Sequence, residues 1–347
     1  MVNVAILGAT GYGGVELIRT LGLHPEVRLA YLHSETYAGK RACDVYPHLA
    51  GVTTELRALD VAAVAAECQA AFLALPAGLS LEIVPQLLDK GVRVVDVGPD
   101  FRLHQAALYP QHYGFAHTQP AALAEAVFGI PEWHRKEMAA ARLVAAPGCF
   151  STAAILALAP LVADGLIEPG DIIADGKTGL SGAGRTKLTL PYHYAEAEAD
   201  VCAYSVGGHR HQPEMVQELQ ALTTEPVSLA FTPHLVPMVR GILMTCYAKP
   251  RGGADLAAVR ASLARRYEGE PFVHVLPEGQ QWPHTKWTAG TNHCFLAAGM
   301  SRDTGRAIVV AAIDNLGKGM SGQMVQCLNV MLGLPETTGL AGAAAYP

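Results

Sequence analysis

The sequence lacks the features of membrane, secreted and nucleic-acid-binding proteins. No apolar run reaches the roughly 18 residues that a membrane-spanning helix needs. Only 16% of the 347 residues are charged and the net charge is −6, so there is no basic footprint for nucleic acid or anionic lipid. The chain enters a strand-like run at once, and we expect no signal or transit peptide. These absences favour a cytoplasmic protein whose partner is a small molecule, not a nucleic acid or a membrane.

Paired cysteines are also missing. The seven cysteines include no CxxC pair, and no histidine or cysteine group has the spacing of a metal site. We therefore expect neither a disulfide framework nor a bound metal. Most of the cysteines should be reduced and buried as small hydrophobic side chains.

What the sequence does contain is a change of pattern at mid-chain. Its length exceeds one ordinary core, so two domains are expected. Strand-like runs alternate with helical segments up to residue 148, which predicts a parallel sheet of βαβ units. Beyond it, strand-like runs with few helices predict an α+β domain with a largely antiparallel sheet. The predicted fold class is α/β: a Rossmann-type dinucleotide-binding domain at 1–148 and 316–347, and a catalytic and oligomerisation domain at 149–315.

A glycine-rich loop follows the first strand-like run and opens the first helix. Glycines there allow a tight turn and close approach of a pyrophosphate, and the helix N-terminus favours the anion. A glycine-rich turn without a ligand is the alternative. The residues predicted to bind the dinucleotide are Gly8, Thr10, Gly11, Tyr12, Gly13 and Gly14.

The end of the second strand decides between the two nicotinamide cofactors. His33 and Ser34 favour NADP, with Lys40 or Arg41 as possible partners of its 2′-phosphate, whereas Glu35 would suit the ribose diol of NAD. We predict NADP, with Ser34 among its ligands and NAD as the alternative.

Cys149 is the predicted nucleophile. It follows Pro147 and Gly148 at a strand–turn–helix junction, where a helix N-terminus stabilises a thiolate and offers N–H groups to an oxyanion. An inert buried cysteine is the alternative, but no other cysteine of the chain has this setting.

A second dense segment, Gly207–Glu214, should supply the proton-transfer group. His209 and His211 flank Arg210 at a predicted helix start, and Glu214 lies one helical turn from His211 and could orient it. A metal pair or a plain surface helix start are the alternatives.

Two segments carry arginines suited to phosphate or carboxylate. Asp100-Phe101-Arg102 follows a strand at the ligand-bearing edge of the sheet, and the loop from Gly179 to Arg185 is rich in glycine. Each arginine could equally be a structural salt-bridge residue.

Taken together, these residues resemble the N-acetyl-γ-glutamyl-phosphate reductase family of arginine biosynthesis, within the aspartate-semialdehyde-dehydrogenase-like group. The resemblance covers nearly the whole chain. It rests on the glycine loop, Tyr37–Lys40, Asp100–Leu103, Pro147–Cys149, Thr178–Arg185, Gly208–Glu214, Asp314–Gly319 and the closing Gly333–Leu340.

The resemblance implies that the Cys149 thiolate attacks the acyl phosphate, and that hydride from NADPH reduces the resulting thioester to an aldehyde. His209 and His211 match the family's histidine pair, and either could be the acid/base. Asn315 matches a residue near the nicotinamide. The implied substrate ligands are Arg102, Ser181, Arg185 and Arg210, with Arg102 favoured for the phosphoryl group. An apolar second domain predicts a homodimer or homotetramer.

Three positions depart from the family pattern. Ala146 stands where asparagine is usual, the run Asp96–Asp100 differs from the usual Asp-Leu-Ser-Ala-Asp, and Glu35 stands where arginine is frequent. The last of these keeps NAD open as the cofactor.

Three other functions compete with this reading. The first is reduction of a carrier-linked aminoadipyl phosphate in lysine biosynthesis, which should require a basic groove for an acidic carrier. The second is a non-catalytic dinucleotide-binding regulator, against which Cys149, both histidines and Arg102 argue. The third is a cysteine hydrolase, which would leave the glycine loop without a purpose.

Overall fold

The chain divides at residue 148 into two units. The computed structural model describes residues 1–187 and 189–345. The first unit holds Met1–Pro147, Gly184–Thr186 and Met320–Gly342, and the second holds Gly148–Ala183, Lys187–Gly319 and the chain end from Ala343. The domain bounds 1–148 with 316–347, and 149–315, stay a prediction, and Tyr346 and Pro347 lie outside the described residues.

A sheet of seven parallel strands forms the centre of the first unit. Its order is β3-β2-β1-β4-β5-β7-β6, so the direction of winding reverses between β1 and β4, where ligands of such sheets bind. The apolar strands are buried on both faces, as a parallel sheet covered by helices requires. The strands are Val2–Leu7 (β1), Val27–His33 (β2), Leu56–Arg57 (β3), Ala70–Leu73 (β4), Arg93–Asp96 (β5), Val127–Phe128 (β6) and Leu143–Ala145 (β7).

Helices connect these strands. They are Tyr12–Leu21 (α1), Ala42–Val45 (α2), Val61–Glu67 (α3), Ser80–Asp89 (α4), Tyr109–Tyr113 (α5), Pro120–Glu125 (α6) and Pro131–Ala140 (α7). No helix in the described part of the chain is long and apolar enough to cross a membrane.

The second unit is built on a mixed, mostly antiparallel sheet of order β12-β13-β14-β11-β8-β10-β9, with β8–β10 and β12–β13 as its parallel pairs. Its strands are Ile167–Thr178 (β8), Cys202–Ala203 (β9), Leu229–Leu235 (β10), Ile242–Pro250 (β11), Val273–Val275 (β12), Cys294–Met300 (β13) and Ala307–Ile313 (β14). The predicted fold class is confirmed.

One helix forms the core of the second unit. The helices here are Cys149–Ala163 (α8), Tyr194–Ala197 (α9), Gln212–Gln220 (α10) and Leu256–Tyr267 (α11). Every residue of α8 from Phe150 to Val162 is buried, because the sheet covers one side of the helix and α10 and α11 cover another. The nucleophile candidate is thus the first residue of the most buried helix of its unit.

The chain then returns to the first unit as Gly322–Met331 (α12). This helix packs on α7, where Gln323 donates a hydrogen bond to the Gly129 carbonyl and Gln326 donates one to Glu132.

The longest strand, β8, was not predicted. Its sequence contains Pro169, Gly170 and Asp171, which are turn-forming residues. In the structure these three residues lie where the pairing with β11 is irregular, and regular pairing on both sides begins only at Ile172. Helix α7, which begins at Pro131, was also missed.

Candidate active site and dinucleotide-binding loop

Cys149 begins α8 and is partly exposed. The first-turn N–H groups of a helix have no partner within it, so they can hold a negative charge on the sulfur or on a carbonyl that the sulfur attacks. Four of the seven cysteines are buried, as predicted: Cys68, Cys246, Cys294 and Cys327. Burial raises the pKa of the Cys68 thiol to about 11 and raises that of Cys246 further, which disfavours their thiolates.

The ring of His211 lies directly against Gly148. A methyl group added to the Gly148 Cα would be 2.4 Å from His211 Nε2, far inside van der Waals contact. The Gly148 backbone has ordinary angles, with φ −64° and ψ 146°, so it is this close approach that requires glycine. The imidazole edge carrying Nε2 therefore lies against the residue that precedes Cys149.

Hydrogen bonds join the start of α8 to the start of α10. The Gly148 N–H donates to Glu214 Oε2 over 2.7 Å, and Ser151 Oγ donates to the His211 carbonyl over 3.2 Å. Glu214 is fully buried and lies in the first turn of α10, where a helix favours negative charge. Glu214 thus holds the turn before Cys149, and its predicted role in orienting His211 stays a prediction.

His209 and His211 differ in their contacts, because the ring of His209 binds the backbone of His211. Its Nδ1 accepts a hydrogen bond from the His211 backbone N–H at 3.1 Å, so the neutral ring carries its proton on Nε2. Burial, and then the charge of Arg210, lower the pKa of His209 to about 4. Its ring packs edge-on against Phe150 and Phe231. His209 is therefore neutral near pH 7.

Two further side chains surround this pair. Tyr204 packs against His209 with ring centroids 5.6 Å apart, and its pKa is raised by burial and next by the charge of Cys149. Arg210 is exposed, and its charge lowers the pKa values of both His209 and Tyr204. Tyr204 was missed by the sequence analysis because a lone tyrosine outside a motif carries no local signal.

The segment that follows β14 packs on the nucleophile. A methyl group at Gly319 would be 2.7 Å from Cys149 Cβ. Asp314, fully buried, accepts hydrogen bonds from Arg240 and from the Gly290 and Leu316 N–H groups, which fixes this turn. The Gly319 contact and the Asp314–Arg240 ion pair were missed, since both join residues distant in sequence.

Asn315 uses both ends of its amide within the second unit. Its Oδ1 accepts from the Gly241 N–H at 2.8 Å and its Nδ2 donates to Ser181 Oγ at 3.0 Å. Asn315 and Ser181 therefore fix the glycine-rich loop at 179–183. Their predicted contacts with the nicotinamide and the substrate stay predictions.

The glycine loop of the first unit fits a dinucleotide. Gly8 has φ +91°, and a side chain there would meet the Ala74 carbonyl at 2.3 Å. Among the described residues, a methyl group added at Gly11 would meet only the Gly8 carbonyl, at 3.7 Å, so these residues do not require glycine there. Gly11 is the N-cap residue of α1 and, having no side chain, leaves the helix N-terminus without a side-chain cap of its own. The N-terminus of α1 is thus open to a phosphate, as in dinucleotide-binding loops.

A short network supports this loop from β2. The Gly8 N–H donates to His33 Nδ1 over 3.2 Å, and His33 Nε2 contacts Glu35 at 3.0 Å. Glu35 also accepts from the Leu59 N–H, a bond that lowers its carboxyl pKa, with His33 adding to the effect. Thr10 and Ser34 join through their hydroxyl groups at 3.0 Å. One oxygen of the Glu35 carboxylate, Oε1, is thus bonded within the fold.

Arg102 is buried, and its contacts are those of a structural residue. Its Nε donates to the Ala146 carbonyl at 2.9 Å and its Nη2 donates to the Val97 carbonyl at 2.6 Å. These two bonds connect the residues that directly follow β5 and β7, just before Pro147. These contacts support a structural role for Arg102, and its predicted role as holder of the phosphoryl group stays a prediction.

Two buried carboxyl groups lie beside Arg102. Asp96 and Asp100 both face Gly98, whose added methyl group would be 3.0 Å from an oxygen of each. Burial, and then the neighbouring Asp100, raise the pKa of Asp96 to about 7, while burial raises that of Asp100 to about 6. Two like charges in one site cannot both form readily, so the pair retains a proton at mildly acidic pH.

Arg185 lies with the dinucleotide loop. Its Nη1 donates to the Thr10 carbonyl at 3.3 Å and its Nη2 donates to the Tyr37 hydroxyl at 3.4 Å. Arg185 was predicted to bind the substrate, whereas these contacts associate it with Thr10 of the predicted cofactor loop.

Comparison with known proteins identifies both units. Residues 3–141 match the semialdehyde dehydrogenase NAD binding domain, and residues 149–315 match the semialdehyde dehydrogenase dimerisation domain. Relatives named N-acetyl-gamma-glutamyl-phosphate reductase include one from Heliobacterium modesticaldum, 46% identical, and one from Desulforudis audaxviator, 48% identical. Each alignment covers 100% of both chains.

Solved structures share the fold. Aspartate semialdehyde dehydrogenase II from Vibrio cholerae matches with a TM-score of 0.73 at 19% identity, covering 96% of this chain and 99% of that one. Aspartate semialdehyde dehydrogenase with NADP from Candida albicans matches with a TM-score of 0.71 at 14% identity, covering 96% and 98%.

Proposed function

This chain belongs to the N-acetyl-γ-glutamyl-phosphate reductase family, and we propose that it reduces N-acetyl-γ-glutamyl phosphate to N-acetylglutamate semialdehyde and phosphate in arginine biosynthesis, with NADPH as the reductant. The observation that carries the chemistry is the position of Cys149. It is the partly exposed first residue of α8, and the His211 ring lies against the preceding residue.

In the first step the Cys149 sulfur attacks the acyl carbon. A carbon–sulfur bond forms, the carbon–oxygen bond to phosphate breaks, and the thiol proton passes to His211 Nε2. The N–H groups at the start of α8 hold the developing negative charge on the carbonyl oxygen. The products of this step are a thioester on Cys149 and inorganic phosphate.

In the second step the thioester is reduced. NADPH, when bound, supplies the hydride for this reduction. Cys149 then leaves as a thiolate and recovers its proton from His211, which restores both groups for the next turnover. His209 positions His211 through its Nδ1 and stays neutral, so we assign the acid/base role to His211.

Binding roles follow from burial and charge. Arg210, exposed beside His209 and Tyr204, is the proposed ligand of the substrate's phosphate or carboxylate. Ser181 and Asn315 order the glycine-rich loop at 179–183. The residues that would hold the dinucleotide are Gly8, Thr10, Gly11, Tyr12, Gly13, Gly14 and Ser34.

We also propose a cytoplasmic homodimer or homotetramer. The match of residues 149–315 to a dimerisation domain supports self-association. The composition of the sequence supports the cytoplasmic location, as does the fact that its cysteines are not spaced in pairs.

The test replaces the nucleophile. Cys149→Ala should lower kcat by several orders of magnitude while the affinity for NADPH changes little, because covalent catalysis is lost and the dinucleotide loop is intact. Activity is followed as phosphate-dependent NADP⁺ reduction with N-acetylglutamate semialdehyde, and binding by NADPH fluorescence. Cys43→Ala, at another partly exposed cysteine, is the control and should keep the wild-type rate. A Cys149→Ala enzyme with more than about a tenth of the wild-type rate would refute the assignment.

Substrate choice needs its own measurement. Comparing kcat/KM for the acetylglutamyl and aminoadipyl substrates tests the lysine-pathway alternative. We expect the acetylglutamyl compound to be preferred, and a preference for the carrier-linked aminoadipyl compound would overturn the proposal.

A further inference from the structure

Aromatic rings and neutral oxygens hold the guanidinium of Arg185 in the first unit. Its carbon lies 5.2 Å from the ring centroid of Tyr46 and 5.8 Å from that of Tyr37. The Tyr46 hydroxyl donates to the Thr10 carbonyl at 2.7 Å, the same oxygen that accepts from Arg185. The guanidinium is thus oriented at the dinucleotide loop before any ligand binds.

The charge of Arg185 is not neutralised by the fold. Arg19, Arg41 and Arg57 of the same unit each pair with a carboxylate, on Glu16, Asp44 and Glu67 respectively. Within residues 1–187 and 189–345, Arg185 pairs with no carboxylate, and its two hydrogen bonds use only part of its five N–H donors. A second cation, Lys40, lies over the same Tyr37 ring with its Nζ 5.8 Å from the centroid.

The neighbouring hydroxyl groups suit a phosphate, because they can donate hydrogen bonds to its oxygens. Thr10 connects this cationic cluster to Ser34 at the end of β2 through the pair of hydroxyl groups. Glu35, a nearby residue whose charge would repel a phosphate, directs its Oε1 to the Leu59 N–H and to His33. Arg41 is occupied by Asp44 through two hydrogen bonds.

We propose that Arg185, assisted by Lys40, recognises the 2′-phosphate of NADPH and so determines the preference for NADPH over NADH. This inference rests on the proposed function, and it assigns to the cofactor a residue that sequence reasoning assigned to the substrate. A guanidinium fork binds two phosphate oxygens at once, and the cation–π contact with the Tyr46 ring favours the observed orientation.

Binding measured without the acyl phosphate tests the proposal. Affinities for NADPH and NADH are taken from the quenching of protein fluorescence in the wild type, Arg185→Met, Lys40→Met and Arg41→Met. Arg185→Met should weaken NADPH about tenfold to a hundredfold, as expected for loss of charge-assisted hydrogen bonds, and should change NADH less than about twofold. Lys40→Met should act in the same direction with a smaller effect, and Arg41→Met, the matched control, should leave the ratio unchanged.

Two competing ligands isolate the contribution of the 2′-phosphate. Adenosine 2′,5′-bisphosphate and 5′-AMP differ only in the 2′-phosphate, and Arg185→Met should weaken the first and leave the second unchanged. Equal weakening of NADPH and NADH would overturn the proposal in favour of a role at the pyrophosphate, and no change in either would exclude Arg185 from the cofactor site. Neither result affects the proposed reduction, whereas a wild-type protein that binds no nicotinamide would end both proposals.

Discussion

The two histidines of the second unit differ in what their ring nitrogens contact. His209 is buried among aromatic rings and accepts a backbone hydrogen bond at Nδ1, while His211 lies against the turn that carries Cys149. A neutral acceptor can position a neighbour, but a ring with a pKa of about 4 is a poor acid near pH 7.

Substitution should separate these roles. His211→Asn should lower kcat about 10²- to 10⁴-fold, as loss of a general acid/base does. His209→Asn keeps an oxygen acceptor for the His211 N–H and should stay within about tenfold of wild type, whereas His209→Phe removes the acceptor and should cost more.

The pH dependence supplies the discriminating measurement. Because His209 titrates near pH 4, any acid limb of the kcat/KM profile above pH 5 belongs to another group and should persist in His209→Asn. The roles would be reversed if that limb vanished in His209→Asn and His211→Asn kept its rate.

At the scale of elements, the starts of α8 and α10 lie together and carry the proposed nucleophile and the proposed acid/base. Gly148→Ala is compatible with the local backbone angles, yet the new methyl group would overlap the His211 ring. We expect a displaced imidazole, a fall in kcat of at least about tenfold, and unchanged NADPH affinity. Gly170→Ala, where a methyl group meets only the Pro226 carbonyl at 3.8 Å, is the control for a glycine of the same unit. Wild-type turnover in Gly148→Ala would show that the ring need not lie there.

Sequence patterns correctly predicted those elements whose identifying residues are close together in the sequence. The βαβ alternation, the glycine loop and the Pro-Gly-Cys turn are contiguous, and each was found at its predicted position. The central strand β8 was missed because Pro169 and Gly170 suggest a turn, and because its partners on β10 and β11 lie more than fifty residues onward. The Gly148–Glu214 bond and the association of Arg185 with Thr10 escaped for the same reason: nothing local encodes contacts made by the final fold.

For the whole molecule, the buried pair Asp96 and Asp100 should make stability depend on pH. A carboxyl whose pKa is raised on folding binds a proton more tightly in the folded state, so its contribution is present at low pH and lost as pH rises through its folded value. For Asp96 that value is about 7, with Asp100 opposing ionisation and Arg102 aiding it. Between pH 5 and pH 8 the first unit should therefore lose stability.

Asp96→Asn should remove this loss. The amide keeps an oxygen for the Gly98 N–H, which Asp96 now accepts at 2.8 Å, and it carries no charge at any pH. We expect a higher Tm than wild type at pH 8, by about 2–4 °C for each kcal/mol recovered, and a smaller difference at pH 5. Scanning calorimetry across this range measures it, with the exposed Asp89→Asn as control. A wild-type Tm that is flat from pH 5 to pH 8 would contradict the assignment.

The burial of α8 also constrains how the chain is made. Its apolar residues are covered by α10, α11, β11 and β14, all of which are encoded later in the sequence. In a chain still on the ribosome, this apolar segment stays exposed until β14 has been synthesised. At common synthesis rates that takes on the order of ten seconds or more after the helix itself is made. The nascent protein is therefore most vulnerable to aggregation in that interval, and holdase chaperones should engage it there.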